Sequence, residues 1–442
     1  MKMLLTSFQW MVFMIASSIV APIAIAGLFG FNAAETASFM QRTMFILGLA
    51  GVLQALWGHR LPINEGPAGL WWGVFAIYAG FAGTVYASGS EVLRSLEGGL
   101  MVSGLLFILF AALGLVEKLM RLFTPTVTFL YLLLLILQLS GSFMKGMLGL
   151  PNDSGLIQLP VALGSLLTLV VAFYLSAHKN IFIRQYSVIL SLAFGWGVFA
   201  FLGLAPSIPE SPQLVKLPEI FAFGSPIFDP GIIVTAAFTT LLLITNMVAS
   251  IRVMEEVQTQ FSSAAKKGSY RSTGMVAGIN QMASGLFSAV GPVPIAGAAG
   301  FVAQTKSAAV RPFLAGSSLV ILASLLPPVI NRLSALPAAV GYAVTFVIFT
   351  QMAGLAFAEL DKVKEKEQSR LVSGVALLAG VGAMFVPVDS FRELPAAVTS
   401  IVSNGLILGT LTAIAVEQFL IRKGKRNQQK EILKEELSVK KG

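Results

Sequence analysis

Gly66-Pro67-Ala68-Gly69 and Gly291-Pro292-Val293-Pro294 each open onto an apolar run too short to cross a bilayer, 67–80 in the first case and 297–309 in the second. A membrane helix needs about 20 mostly apolar residues. Proline removes a helix hydrogen bond, and in lipid every freed backbone group needs a partner. Exposing such a group to hydrocarbon costs several kcal/mol, so both breaks must be buried in protein or line a cavity. Alone, either stretch reads as an ordinary kink, because Gly and Pro are common in membrane helices. Two interrupted runs at matching places in the chain point instead to a central binding site between them.

The rest of the chain supplies the matching places. Apolar runs fall near 8–29, 43–57, 67–80, 98–117, 122–140, 158–177, 188–204, 231–251, 272–290, 297–309, 311–330, 338–357, 370–387 and 397–420. That is fourteen spans, split by the longest loop into seven and seven, so the third and tenth are equivalent. An odd number of spans forces the second half to enter the membrane in the opposite sense, which is an inverted repeat. The expected fold is an all-α polytopic membrane protein of fourteen transmembrane spans. Its divisions are 1–205 (first repeat), 206–230 (outer inter-repeat loop), 231–421 (second repeat) and 422–442 (basic cytoplasmic tail).

Composition agrees. Of 442 residues, 56% are hydrophobic and 12% charged, about half the charge of a soluble domain, and the mean hydropathy is +0.81. The absence of Cys excludes disulfides and thiol nucleophiles, and two distant histidines, His59 and His178, make a poor metal site. No nucleophile–base pair falls within the spans, so an enzyme is the poorest reading. The net charge of +9 is concentrated in the tail, which holds eight Lys/Arg against three Glu. That suits anionic lipid better than nucleic acid, since no basic stripe is interleaved with aromatics.

Orientation follows from the cations. With the N-terminus inside, 24 of the 30 Lys/Arg lie on the cytoplasmic side, and no outer loop holds more than one. Both termini are therefore expected in the cytoplasm of a multi-pass cell-membrane protein. Ala24-Ile25-Ala26 before Gly27 imitates a signal-peptidase site, but the apolar run of the first span is too long for an h-region.

Several residues together resemble one family, the nucleobase–ascorbate transporters, or xanthine/uracil permeases. Gly278, Gly285-Leu286-Phe287, Gly300 and Ala303-Gln304-Thr305-Lys306 resemble its ninth and tenth spans, and Pro337 with Gly341 its element before the twelfth. Gln9 with Trp10 resembles its Gln-His pair with the His replaced, and Gly58-His59-Arg60-Leu61-Pro62 followed by Gly66 resembles the approach to its third span. The resemblance implies a core of spans 1–4 and 8–11, a gate of spans 5–7 and 12–14, and a short strand plus half-helix in spans three and ten. It implies a nucleobase held between those breaks, uptake coupled to H+ or Na+, and a homodimer formed through the gate. No cofactor or metal is implied.

The same resemblance implies where this chain departs. The family's span-eight Glu falls at Asn246, with Ser250 one turn later, and its span-ten Glu falls at Gly297. The aromatic that stacks on the base falls at Gly69, although Trp71 and Trp72 are close. Substrate contacts are then expected from Asn246, Ser250, Ala68, Gly69, Ala296 and Gly297. Asn offers an acceptor and an NH2 donor but does not titrate, so base recognition survives and proton coupling through these positions does not. Glu65, just before the third-span break, is the nearest carboxylate that could stand in for coupling. Its place suggests the inner interface, where solvation by snorkelling is the plainer expectation. Asn280 and Gln281 suit interhelical bonds, Gln304 and Thr305 the end of a half-helix, and Gln9 helix packing.

The leading expectation is a secondary-active permease for a purine (xanthine or urate) or a pyrimidine (uracil), working by alternating access. Two alternatives stand beside it. An anion carrier of the same architecture would use half-helix N-termini without a carboxylate, against which stands the lack of an inward Lys or Arg in the core spans. A transport-dead receptor or scaffold would explain the missing carboxylates.

Overall fold

The structure, a computed structural model, describes residues 2–119, 122–150, 155–180, 183–184, 186–259, 268–305, 308–391 and 394–439. It is mostly helical, as hydrocarbon demands of a chain that must satisfy its own backbone. Eight described helices are long and apolar enough to cross a membrane: Met3–Leu28, Ala33–Leu56, Gly89–Ala112, Pro125–Met147, Leu159–Ser176, Pro230–Thr259, Ala338–Asp361 and Gly405–Gly424. A ninth is formed if Val310–Ser324 and Pro327–Ser334, bent by 88°, are counted together. The other stretches read as spans are also helical, namely Gly69–Ala79, Ser187–Phe201, Tyr270–Leu286, Gly297–Thr305 and Lys366–Met384, but are shorter or more polar.

One boundary matters for charge. The helix expected from residue 43 starts at Ala33, because Asn32 caps it by accepting the N–H groups of Ala34 and Glu35 while the Glu35 carboxylate takes the Asn32 N–H. This capping box draws Arg42 from the expected outer loop into a helix, where it is buried. Its Nε donates to the Ser288 carbonyl at 3.3 Å and its guanidinium lies 5.2 Å from the centre of the Phe223 ring. Glu97 is buried nearby and accepts from the Ser288 hydroxyl. A core cation thus exists after all, spent on a structural knot.

That knot ties down the segment between the two halves. Ser288 Oγ accepts the Ala222 N–H, Phe221 N–H reaches the Leu286 carbonyl, and Arg94 Nε donates to the Ser225 carbonyl. Gln41 and Asn331 hold the carbonyls of Lys216 and Pro209. The segment 206–230 is therefore a strap pinned along several helices.

Two packing groups account for most helix contacts. In one, Gly89–Ala112 packs against Tyr270–Leu286 and Pro230–Thr259, while Val310–Ser324 packs against Ala33–Leu56 and Lys2–Ser18. In the other, Ala338–Asp361 packs on Pro125–Met147 and Leu159–Ser176, and Lys366–Met384 packs against the Gly405–Val439 helix. The groups meet where Ala396–Val402 lies on Pro230–Thr259 and where Ala338–Asp361 lies on Val20–Leu28, with Tyr342 Oη donating to the Ala24 carbonyl at 3.0 Å. The C-terminal helix runs to Val439, and the tail's side chains beyond Gly424 lie outside the described residues.

Candidate substrate site

The two Gly-Pro stretches come together as a two-stranded antiparallel ribbon, β1 (Glu65–Pro67) with β2 (Pro292–Pro294). The register pairs Glu65 with Pro294, Gly66 with Val293 and Pro67 with Pro292. Proline cannot donate to a ladder, and in this register Pro67, Pro292 and Pro294 fall at the pairs that need not. Ile295 N–H donates to the Asn64 carbonyl at 3.0 Å, and Ala68 N–H to the Gly291 carbonyl at 2.9 Å. A Cβ on residue 66 would lie 2.0 Å from Ile295 Cδ1, so any larger residue there would have to turn that side chain aside.

Each strand leads into a half-helix, Gly69–Ala79 or Gly297–Thr305. Because the strands are antiparallel, the helices leave from opposite ends of the ribbon, and their N-termini flank it. The first intrahelical bond of Gly69–Ala79 runs from Trp72 N–H to the Ala68 carbonyl. The N–H groups of Gly69, Leu70 and Trp71 precede it without an intrahelical acceptor. The positive ends of two helix dipoles therefore border one small region.

The Pro230–Thr259 helix closes the region. Ser250 Oγ donates to the Pro294 carbonyl at 2.8 Å, which fixes that helix to β2. Leaving this buried carbonyl unpaired would cost about 1–3 kcal/mol. One turn earlier on the same face, Asn246 is half-buried and has no hydrogen-bond partner among the described residues. On the far side, the space beside Gly69 is bounded by Leu135 and Phe349, whose atoms lie 3.9 and 4.0 Å from where a Cβ would stand. Phe349 belongs to an aromatic group with Phe143, 4.9 Å away, and Trp72, 6.3 Å away.

The expected contact residues therefore divide. Asn246, Gly69, Ala296 and Gly297 lie at the accessible edge, and a Cβ on Gly297 would meet only Ile295. Ala68 is fully buried with its N–H given to the ribbon, and the Ser250 hydroxyl is spent on β2. Trp71 is buried in the core, beside the place a Cβ on Gly291 would occupy. Gln281 supports the ribbon from below through Nε2 to the Pro292 carbonyl at 2.7 Å. Gln9 is half-buried. The side chains of Gln304 and Thr305 lie outside the described residues.

Glu65 corrects the expectation of an interfacial, solvated carboxylate. It is 1% exposed, because the ribbon carries it into the protein, and its Oε1 lies 3.7 Å from Nε2 of the equally buried His59. Sequence reading passed over His59 as an isolated histidine. The only available signal was its position six residues before Glu65 in a segment turning back into the membrane.

Comparison with known proteins places this arrangement. The family model Xan_ur_permease, described as "Permease family", matches residues 1–389. The chain is 45% identical over 423 residues to the "Putative purine permease YwdJ" of Bacillus subtilis, covering 95% of this chain and 96% of that one. It is 26% identical to the uric acid permease PucJ of the same organism, covering 96% and 94%. Among solved structures, the transmembrane domain of the cyanobacterial bicarbonate transporter BicA superposes with a TM-score of 0.60 at 15% identity, covering 93% and 97%. Murine Slc26a9, an anion transporter, superposes equally well at 13% identity, covering 94% and 68%. These two show a shared fold alone. With a ribbon of two Gly-Pro strands, two half-helices and a family match across most of its length, the chain belongs to the xanthine/uracil permease family of membrane transporters.

Proposed function

We propose that this protein is a secondary-active permease whose solute is a purine carried as an anion, with urate as the best fit and xanthine next. The observation that carries the reading is the pair of half-helix N-termini meeting at the β1–β2 ribbon beside an unpartnered Asn246. Helix N-termini favour negative charge, and neither Asn246 nor Gly297 brings a carboxylate to oppose it. Uric acid is a monoanion near neutral pH and offers adjacent N–H and C=O groups, which the Asn246 amide can match with its acceptor and its donor. The names of the relatives, purine and uric acid permeases, point the same way.

The mechanism in this reading is alternating access of a core against a gate. The core would be spans 1–4 and 8–11 and the gate spans 5–7 and 12–14, within inverted repeats 1–205 and 231–421. The two helix packing groups support this division, and Tyr342 to Ala24 and the Phe349–Trp72 contact lie on its moving boundary. The cation distribution supports cytoplasmic termini in the cell membrane.

Thermal melting of the purified protein in detergent tests the reading, because a ligand of the folded state raises the melting point by mass action, worth about 2.7 kcal/mol at a hundred times Kd. Uric acid and xanthine are expected to raise it, while bicarbonate, sulfate and chloride leave it unchanged. A shift with inorganic anions alone would make the protein an anion carrier. No shift with any of them would favour a transport-dead receptor.

A further inference from the structure

The segment from Gln54 to Glu65 buries an unusual number of idle polar atoms. Gln54 Oε1, His59 Nε2, Asn64 Oδ1 and Glu65 Oε1 are all buried without a hydrogen-bond partner, and each of these residues exposes 1% or less of its surface. Buried polar groups are nearly always paired, so such a group asks for an explanation. Three of the four atoms are oxygens that can only accept, and His59 supplies the one donor. Leu61 N–H donates to His59 Nδ1 at 3.0 Å, so the neutral ring carries its proton on Nε2, facing Glu65. His59 cannot take a second proton without breaking the Leu61 bond.

From this geometry we infer that Glu65 is a proton-binding site coupled to the purine site, with His59 as its positioning partner. The inference rests on the permease reading above. In one state the carboxylate accepts the His59 Nε2–H, closing the present 3.7 Å gap. In the other, one proton from water forms an O–H bond on Glu65, which needs no ion partner in that buried place. Release reverses the step, breaking the O–H bond and returning the proton to water. No other atom changes its bonding.

The ribbon links this site to the solute. Glu65 pairs with Pro294, the Pro294 carbonyl holds Ser250, and Asn246 stands one turn from Ser250. A purine anion within about 10 Å of Glu65, at an effective dielectric near 20, raises its proton affinity by about tenfold. By linkage the proton raises purine affinity by the same factor. An anion and one proton then cross together without net charge.

Few other charges bear on Glu65, and the one other charge of its own segment, Arg60, is exposed. β2 carries none, and the Lys2–Ser18 helix has only Lys2, at its far end. On Ala33–Leu56 the nearest is Arg42, twelve residues before Gln54, about 18 Å along the axis. The Pro230–Thr259 helix brings Glu255, which accepts the Gly268 N–H beside the His59 carbonyl, and Arg252, which donates to Tyr270 at 3.4 Å. Arg271 and Tyr270 are the titratable groups of Tyr270–Leu286.

The test is the pH dependence of uric acid affinity in the full-length protein, over the range in which uric acid stays a monoanion. Affinity is expected to weaken about tenfold as pH rises through the titration of Glu65, with up to one proton taken up per uric acid bound. In Glu65→Gln the affinity is flat and proton uptake is lost, while Glu65→Asp keeps both. His59→Ala, which removes the donor to the carboxylate, moves the midpoint to higher pH, and His59→Gln restores it. Parallel pH curves for the wild type and Glu65→Gln overturn the inference. If the wild type binds no uric acid, the substrate assignment fails separately. Infrared titration then decides the proton site: a carboxylic-acid band missing from Glu65→Gln upholds it, and the same band in both proteins overturns it.

Discussion

Replacing Asn246 with Glu is expected to abolish uric acid binding, whereas Asn246→Ala weakens it about ten- to a hundredfold. The Ala variant loses hydrogen bonds to a charged ligand, worth about 1.5–3 kcal/mol. The Glu variant adds repulsion, about 4 kcal/mol for two charges 4 Å apart at an effective dielectric near 20. That is a further loss of about a thousandfold. A Glu at this place offers only acceptors when ionised, so the same variant should gain affinity for a neutral base that presents N–H donors, such as uracil. Calorimetry with uric acid and uracil on the three proteins checks both halves. Equal behaviour of the Ala and Glu variants would remove Asn246 from the site.

The largest loss of folding is expected from Gly278→Val. The helices Gly89–Ala112 and Tyr270–Leu286 touch backbone to backbone. A Cβ on Gly278 would stand 2.5 Å from the Gly104 carbonyl oxygen, and one on Gly104 would stand 2.5 Å from the Gly278 carbonyl oxygen. Gly285 meets the Glu97 carbonyl oxygen at 2.7 Å in the same way. Small residues at such crossings are what hold membrane helices together, since lipid supplies no hydrophobic drive between them. Backbone atoms cannot rotate aside, so a branched side chain must part the helices, at a cost of about 3 kcal/mol or more. Gly278→Val should melt well below the wild type or fail to elute as a single species in detergent. Gly374→Ala, where a Cβ would meet nothing within 4 Å, should melt at or slightly above the wild-type temperature. Similar melting of both variants would show that the crossing is not tight.

The helices were legible because hydrocarbon length and apolar runs constrain each other, and the paired Gly-Pro breaks marked where the chain leaves the helix. Asn246 and Ser250 were readable as neighbours from helical spacing alone. Their difference in role was not, because Ser250 is engaged by a carbonyl 44 residues away in sequence. Nor could the sequence place Glu65 or Arg42 correctly. Glu65 sits beside a loop and reads as solvated until the ribbon is built, and its contact with His59 depends on how the chain turns between them. Arg42 was assigned to a loop because apolar runs locate the middle of a span but not its capped end, which Asn32 sets ten residues earlier.

The most direct test of the purine-anion account is the structure of the full-length protein with uric acid bound. The account predicts density beside Asn246, between the N-terminus of Gly69–Ala79 and that of Gly297–Thr305, with Phe349 on its outer side. Density elsewhere, for example in the apolar groove between Leu159–Ser176 and Ser187–Phe201 lined by Leu163, Phe194 and Phe201, would contradict it.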